Sequence, residues 1–190
     1  KISKLKYFPK KTTYKIDQQI TRVVNELKSS KRPLIHLGHG VKLSGAQNVV
    51  KKFFKKNKIP FVVTWNADDI VPTNHNSYFG RPGAFGERGS NFIVQNCDFY
   101  LSLGTRLPYM VTGYNSKNFA KNAKFKCMVD IDKHELKKND ININLRIRSD
   151  AKYFLNQLFK KIKFYKIDND WLKYCSDIRK KYPILIDKMK

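Results

Sequence analysis

Arg81 and Arg106 are two of the few arginines in this chain, and each stands beside glycines, in Gly80-Arg81-Pro82-Gly83 and Gly104-Thr105-Arg106. A guanidinium offers a planar fork of donors to phosphate or carboxylate. A neighbouring glycine lets backbone N–H groups approach the same ligand. These residues predict an anion site of nucleotide type; the competing reading is plain surface charge. Gly38-His39-Gly40 is a third glycine pair. It fails the dinucleotide fingerprint G-x-G-x-x-G, because the next glycine, Gly45, comes two positions too late. It fails the Walker loop too: Gly40 and Gly45 are spaced correctly, but Ala46-Gln47 stands where Lys-Ser/Thr is required. Close approach of a ligand and a tight turn both remain open there.

Other reactive residue types yield less. His36 and His39 invite a metal, but one falls in a strand and the other in the next turn, with no third ligand nearby in sequence. His75 and His134 read as loop and surface residues. Asp68-Asp69 reads as a solvated loop. Asp130 falls at a strand end, where a carboxylate accepts from a ribose hydroxyl or caps the following turn. Cys97, Cys127 and Cys175 form no CxxC pair and read as reduced thiols. No general acid/base pair is evident.

The elements positioning these residues alternate. Ile16, Ile20, Val23 and Leu27 recur with helical spacing, up to Ser29-Ser30. Leu34–Leu37 is a short apolar strand. Ser44 is expected to cap a helix whose inner face is Ala46, Val49, Val50, Phe53 and Phe54. Phe61–Trp65 is the second strand. A helix near 86–96, with Phe92, Ile93 and Cys97 inward, leads into a third strand at 99–103. Phe125–Val129 is the fourth, with a helical turn at Lys133–Lys138. Ile141–Leu145 alternates as an edge strand. Ser149-Asp150 caps a helix, and a very polar helix spans Trp171–Lys181. Short strands alternating with helices imply βαβ units and an α/β fold: an open parallel sheet with helices on both faces.

The 190 residues suffice for one well-buried domain, and their net charge is +24. Such a balance points to nucleic acid or an anionic membrane surface. Lysine dominates, however, in scattered pairs on polar helix faces, and Asn and Ile are abundant as well. Compositional drift therefore accounts for the charge better than a nucleic-acid partner does. No apolar run approaches the ~20 residues of a membrane span, and the first residues lack a secretory leader; a cytoplasmic chain is expected.

The succession RPLIHLGHG, IPFVVTW, FGRPGAFGERGSNFIVQNCDFYLSLGTRL and FKCMVDIDKHELKKN resembles the central domain of thiamine-diphosphate-dependent enzymes. It is most similar to that of the acetolactate synthase large (catalytic) subunit family, from about Ile16 to Ile162. The resemblance implies a six-stranded parallel sheet of Rossmann-like type. It also implies a division into a linker arm (1–14), the central domain (15–163) and a linker with a C-terminal helix toward a further domain (164–190). In that family the flanking domains bind thiamine diphosphate and Mg2+, the latter through a Gly-Asp-Gly…Asn motif, and subunits form homo-oligomers. No Gly-Asp-Gly occurs here, so the fragment alone is expected not to catalyse. The implied parent decarboxylates a 2-keto acid such as pyruvate and joins the product to an acceptor.

Members of the family carry FAD or ADP on this domain. Carried over by position, the implied cofactor residues are Gly38, His39, Gly40, Thr64, Gly80, Arg81, Gly83, Gly104, Arg106, Asp130, Ile131 and Asp150. The chain departs after Arg106: Leu107-Pro108-Tyr109-Met110 replaces the acidic residues and second arginine of flavin-binding members. Two other readings compete: a stand-alone nucleotide-binding domain of the sirtuin/deoxyhypusine-synthase kind, without that group's zinc CxxC pairs, and a basic nucleic-acid-binding module.

Overall fold

A computed structural model describes residues 16–162 and 164–183. The expected arm at 1–14 lies outside the described residues. The elements are α1 (Asp17–Ser29), β1 (Pro33–Leu37), α2 (Gly40–Leu43), α3 (Gln47–Lys56), β2 (Phe61–Val63), α4 (Arg88–Asn96), β3 (Phe99–Leu103), α5 (Tyr109–Thr112), β4 (Phe125–Asp130), β5 (Leu145–Arg148), α6 (Ala151–Lys161) and α7 (Asn169–Lys181). All strand pairs are parallel, in the order β2-β1-β3-β4-β5. Strands β1 to β4 are buried along their whole length. That is why they read as unbroken apolar runs.

The order fixes where the helices go. The β1-α3-β2 crossover steps outward, and β2-α4-β3 steps back past β1. The right-handed rule for such crossovers puts α3 and α4 on opposite faces. Helices α1 and α3 each pack against α6, and α4 packs against α7. Phe54 of α3 lies 4.2 Å, centroid to centroid, from Phe61 of β2.

The sheet has five strands among the described residues, not six. A sixth place beside β2 is only begun. Ser77–Gly80 makes three backbone bonds to it: Phe61 N to Ser77 O, Phe79 N to Phe61 O and Val63 N to Gly80 O. The loop at Arg81 then turns away, so a single bridge, Phe61–Tyr78, forms. The edge strand also sits later than expected, at Leu145–Arg148 instead of Ile141–Leu145. The alternation continues through both segments, so it could not choose between them. Asn144 ends the loop: its Oδ1 accepts from Lys126 N at 2.8 Å and its own N donates to Lys126 O. Ile141 and Ile143 are buried beneath that loop.

Ser44 does not cap the helix after β1. The short α2 intervenes, Ser44 Oγ donates back to Val41 O at 2.9 Å, and α3 starts at Gln47 without a side-chain cap. Strand β2 stops at Val63, where Trp65 opens a 3-10 turn. The turn expected at Lys133–Lys138 is a single 3-10 turn, Glu135–Lys137. Phe92, expected inward, is partly exposed and lies 5.1 Å from the Tyr182 ring.

The polar helix α7 is seated firmly on the domain. Trp171 and Cys175, one turn apart, are buried. Trp171 Nε1 donates to Pro33 O at 2.9 Å, and Arg179 donates to Tyr78 O and Thr73 O. The preceding segment is tied in by Tyr165, which donates to Asn57 Oδ1 through its N and to Ser30 O through its hydroxyl. Among the described residues no helix is long and apolar enough to cross a membrane.

Candidate functional site

Strand order reverses between β1 and β3, and ligands of open α/β sheets bind at the carboxyl ends beside such a switch point. Gly38-His39-Gly40 and Gly104-Thr105-Arg106 meet there. They are bonded to each other: Gly38 N donates to Leu103 O and Gly40 N to Gly104 O, both at 2.9 Å. A Cβ on Gly38 would come within 2.1 Å of Gly104 O, and Gly104 has φ +60. These glycines are therefore required by backbone-to-backbone contact. His39 Nδ1 lies 2.8 Å from Asn66 O, bracing the turn after β2 against the turn after β1. Thr64, just past the end of β2, donates its N to Leu37 O.

The glycine-rich loop at 80–83 is held by the first turns of α4. Glu87 Oε1 accepts from both Arg81 N and Arg81 Nε, at 3.2 Å each. Asn91 clamps Gly83 through its N–H and its carbonyl, and Ser90 donates to Phe79 O at 2.6 Å. Arg81 Nη1 also bonds Asp68 Oδ2 at 3.1 Å. Burial works against the Arg81 cation, but Asp68 and Glu87 outweigh it and raise its pKa. With two carboxylates on it, Arg81 is a clip joining the β2 loop to α4, not an open anion receptor. The sequence alone did not show Asp68 and Glu87 as partners of Arg81, nor Ser90 and Asn91 as partners of Phe79 and Gly83. The Glu87–Asn91 spacing of one helical turn was the available signal.

Arg106 is different. Its Nε donates to Glu135 Oε1 at 2.8 Å, while its side chain stays 74% exposed. Its terminal nitrogens have no partner among the described residues. Glu135 is buried and also pairs with Lys138. Burial opposes its ionisation, but the Lys138 and Arg106 contacts prevail and lower its pKa. Glu135, in the turn after β4, is thus an anchor that holds the guanidinium of Arg106, in the turn after β3, by one nitrogen.

Asp130 closes β4 beside it. Its Oδ1 accepts from Asp132 N at 2.9 Å, and the Ile131 backbone also favours the ionised carboxylate. Burial raises its pKa, helped by nearby Glu135. Ile131 next to it is exposed. Ser149 N donates to Asp130 O, and Asp150 caps α6 by accepting from Tyr153 N at 2.9 Å. So Gly104, Arg106, Asp130 and Ile131 stand together at neighbouring strand ends. Arg81, Gly80 and Gly83 belong to a separate, internally bonded loop, and Asp150 is occupied as a cap.

His36 does not pair with His39. It is fully buried, its Nδ1 lies 2.7 Å from Tyr100 Oη, and its Nε2 has no partner. Burial pushes its pKa down to about 3. No cluster of metal-ligating side chains occurs among the described residues, and the three cysteines are buried.

The fold is thus an α/β domain with an open parallel sheet, helices packed on it and glycines at the switch point between β1 and β3. The model of the family described as thiamine pyrophosphate enzyme, central domain, matches residues 20–158, and the chain belongs to that family. It is 31% identical over 191 residues to the probable acetolactate synthase large subunit of Methanococcus aeolicus, covering 95% of this chain and 31% of that protein. It is 32% identical over 167 residues to the acetolactate synthase large subunit of Lactococcus lactis subsp. lactis, covering 88% of this chain and 28% of that one. With the acetolactate synthase large subunit of Cyanidium caldarium the identity is 33% over 175 residues, covering 89% and 29%. The chain thus spans about three tenths of the length of these relatives.

Proposed function

We propose that this chain is the central domain of an acetolactate-synthase-like carboligase, which decarboxylates a 2-keto acid such as pyruvate and joins the product to an acceptor. Thiamine diphosphate and Mg2+ act in flanking domains of the parent, which works as a homo-oligomer, and the fragment alone is inactive. The observation that carries this reading is the match of nearly the whole chain to three acetolactate synthase large subunits.

We further propose that the domain holds an adenine nucleotide, as ADP or as the ADP half of FAD, across the ends of β3 and β4. The residues fit that group. The Asp130 carboxylate at the end of β4 accepts from a ribose hydroxyl, Ile131 offers an apolar shelf to the base, and the free end of Arg106 meets the diphosphate. The test is a thermal-shift and calorimetric titration of the purified chain with FAD and, separately, ADP. A ligand at a hundred times its dissociation constant adds about 2.7 kcal/mol of stability. Saturable binding that disappears in Arg106→Ala and persists in Arg81→Ala supports the assignment. No response to either nucleotide removes it and leaves a scaffold domain.

A further inference from the structure

Exposed lysines occur over much of the fold, and two helices carry them with no acid between. No Asp or Glu stands between Glu26 and Asp68, or between Asp150 and Asp168. The first stretch supplies α3 and the second α6, and these helices pack side by side. Lys51, Lys52, Lys55 and Lys56 of α3 are all exposed, as are Lys152 and Lys160 of α6. Lys161 is paired, with Asp17 at 3.0 Å. The carboxylates gather instead at the strand ends, at Asp68, Glu87, Asp130 and Glu135.

Between the two helices runs a groove of about 440 Å3, lined by Lys56, Tyr153, Asn156, Gln157, Phe159 and Lys160. The Phe159 ring is held edge-on by Phe53 at 5.7 Å, with Lys56 Nζ 5.9 Å from its centroid. The groove joins aromatic surface and side-chain amides to a border of cations. We propose that this face binds single-stranded nucleic acid. The lysines track its phosphates, a base stacks in the aromatic groove, and Asn156 and Gln157 meet base edges. A second copy of the chain is disfavoured by like charge. A duplex keeps its bases stacked inside, so the groove adds nothing to its binding. The groove shares no lining residue with Arg106, Asp130 or Ile131, and the proposal does not depend on the nucleotide reading there.

The test is fluorescence anisotropy of a labelled single-stranded 12-mer with the 190-residue chain over a salt series. Neutralising about four phosphates gives a slope of log affinity against log salt near −2.8. Lys56→Glu with Lys160→Glu is expected to weaken binding about ten-fold or more and to flatten that slope. Phe159→Leu keeps the contact to Phe53 but removes the ring, so it is expected to weaken binding several-fold with the slope unchanged. Arg106→Ala is expected to have no effect, which separates this surface from the strand-end cleft. The proposal is overturned by an absence of binding at low salt, by equal affinity for the duplex, or by an equal loss in Lys133→Glu with Lys137→Glu, which would reveal only diffuse charge.

Discussion

Alanine at Gly38 places a methyl group where the end of β3 already lies. The added Cβ falls 2.1 Å from Gly104 O and 2.5 Å from Thr105 Cα. Both neighbours are backbone, so no side chain can swing aside. Relief requires parting the two strand-end turns by about 1 Å, beyond the reach of the bonds from Gly38 N to Leu103 O and Gly40 N to Gly104 O. Each lost bond costs about 1 kcal/mol, and a buried group left unpaired costs about 1–3 kcal/mol. The expected destabilisation is about 3–5 kcal/mol. Gly45 supplies the control: it has φ +65 but nothing within 4 Å of its added Cβ. Gly45→Ala meets only backbone strain, about 1–2 kcal/mol. Urea unfolding followed by circular dichroism compares the two directly. Equal losses at both positions, or a loss below about 1 kcal/mol for Gly38→Ala, would refute the argument that packing, not conformational freedom, demands glycine at the switch point.

Two further predictions concern the core. Trp171→Ala removes a buried indole and its bond to Pro33 O, and is expected to cost about 3–5 kcal/mol. A chain truncated after residue 163 is expected to lose cooperative unfolding, and its retention would show that α7 is dispensable. The neutral, buried His36, with its pKa near 3, gives a pH signature. Below about pH 6.5 the unfolded chain takes up a proton that the folded chain refuses until about pH 3. Stability therefore falls toward acid across that window by about 1.4 kcal/mol per pH unit from this group. Chemical denaturation of wild type and His36→Leu/Tyr100→Phe at pH 7 and pH 5 checks this, with a shallower dependence expected for the double variant.

The strands were legible because burial on both faces leaves apolar runs such as Phe99–Leu103 and Phe125–Val129. The Asp150 cap was legible because it is encoded locally. Edge features were not. Ile141 to Arg148 alternates throughout, and the choice of Leu145–Arg148 depends on Asn144 meeting Lys126. Helix α7 reads only as a very polar helix, because just Trp171 and Cys175 are buried, with Leu172, Tyr174 and Ile178 partly so. Arg81 and Arg106 look alike in sequence, each beside a glycine. What separates them is the carboxylate geometry: Asp68 and Glu87 occupy Arg81, whereas Glu135, far along the chain, holds Arg106 by one nitrogen and leaves its other end available.

The central claim is membership of a carboligase, and the most direct measurement is a graft. Residues 16–183 replace the corresponding segment of the Lactococcus lactis acetolactate synthase large subunit, and acetolactate formation from pyruvate is measured with thiamine diphosphate and Mg2+. The account predicts a folded chimera that forms acetolactate, with activity reduced by Gly38→Ala. A chimera that folds and assembles as its host does but forms none would contradict it.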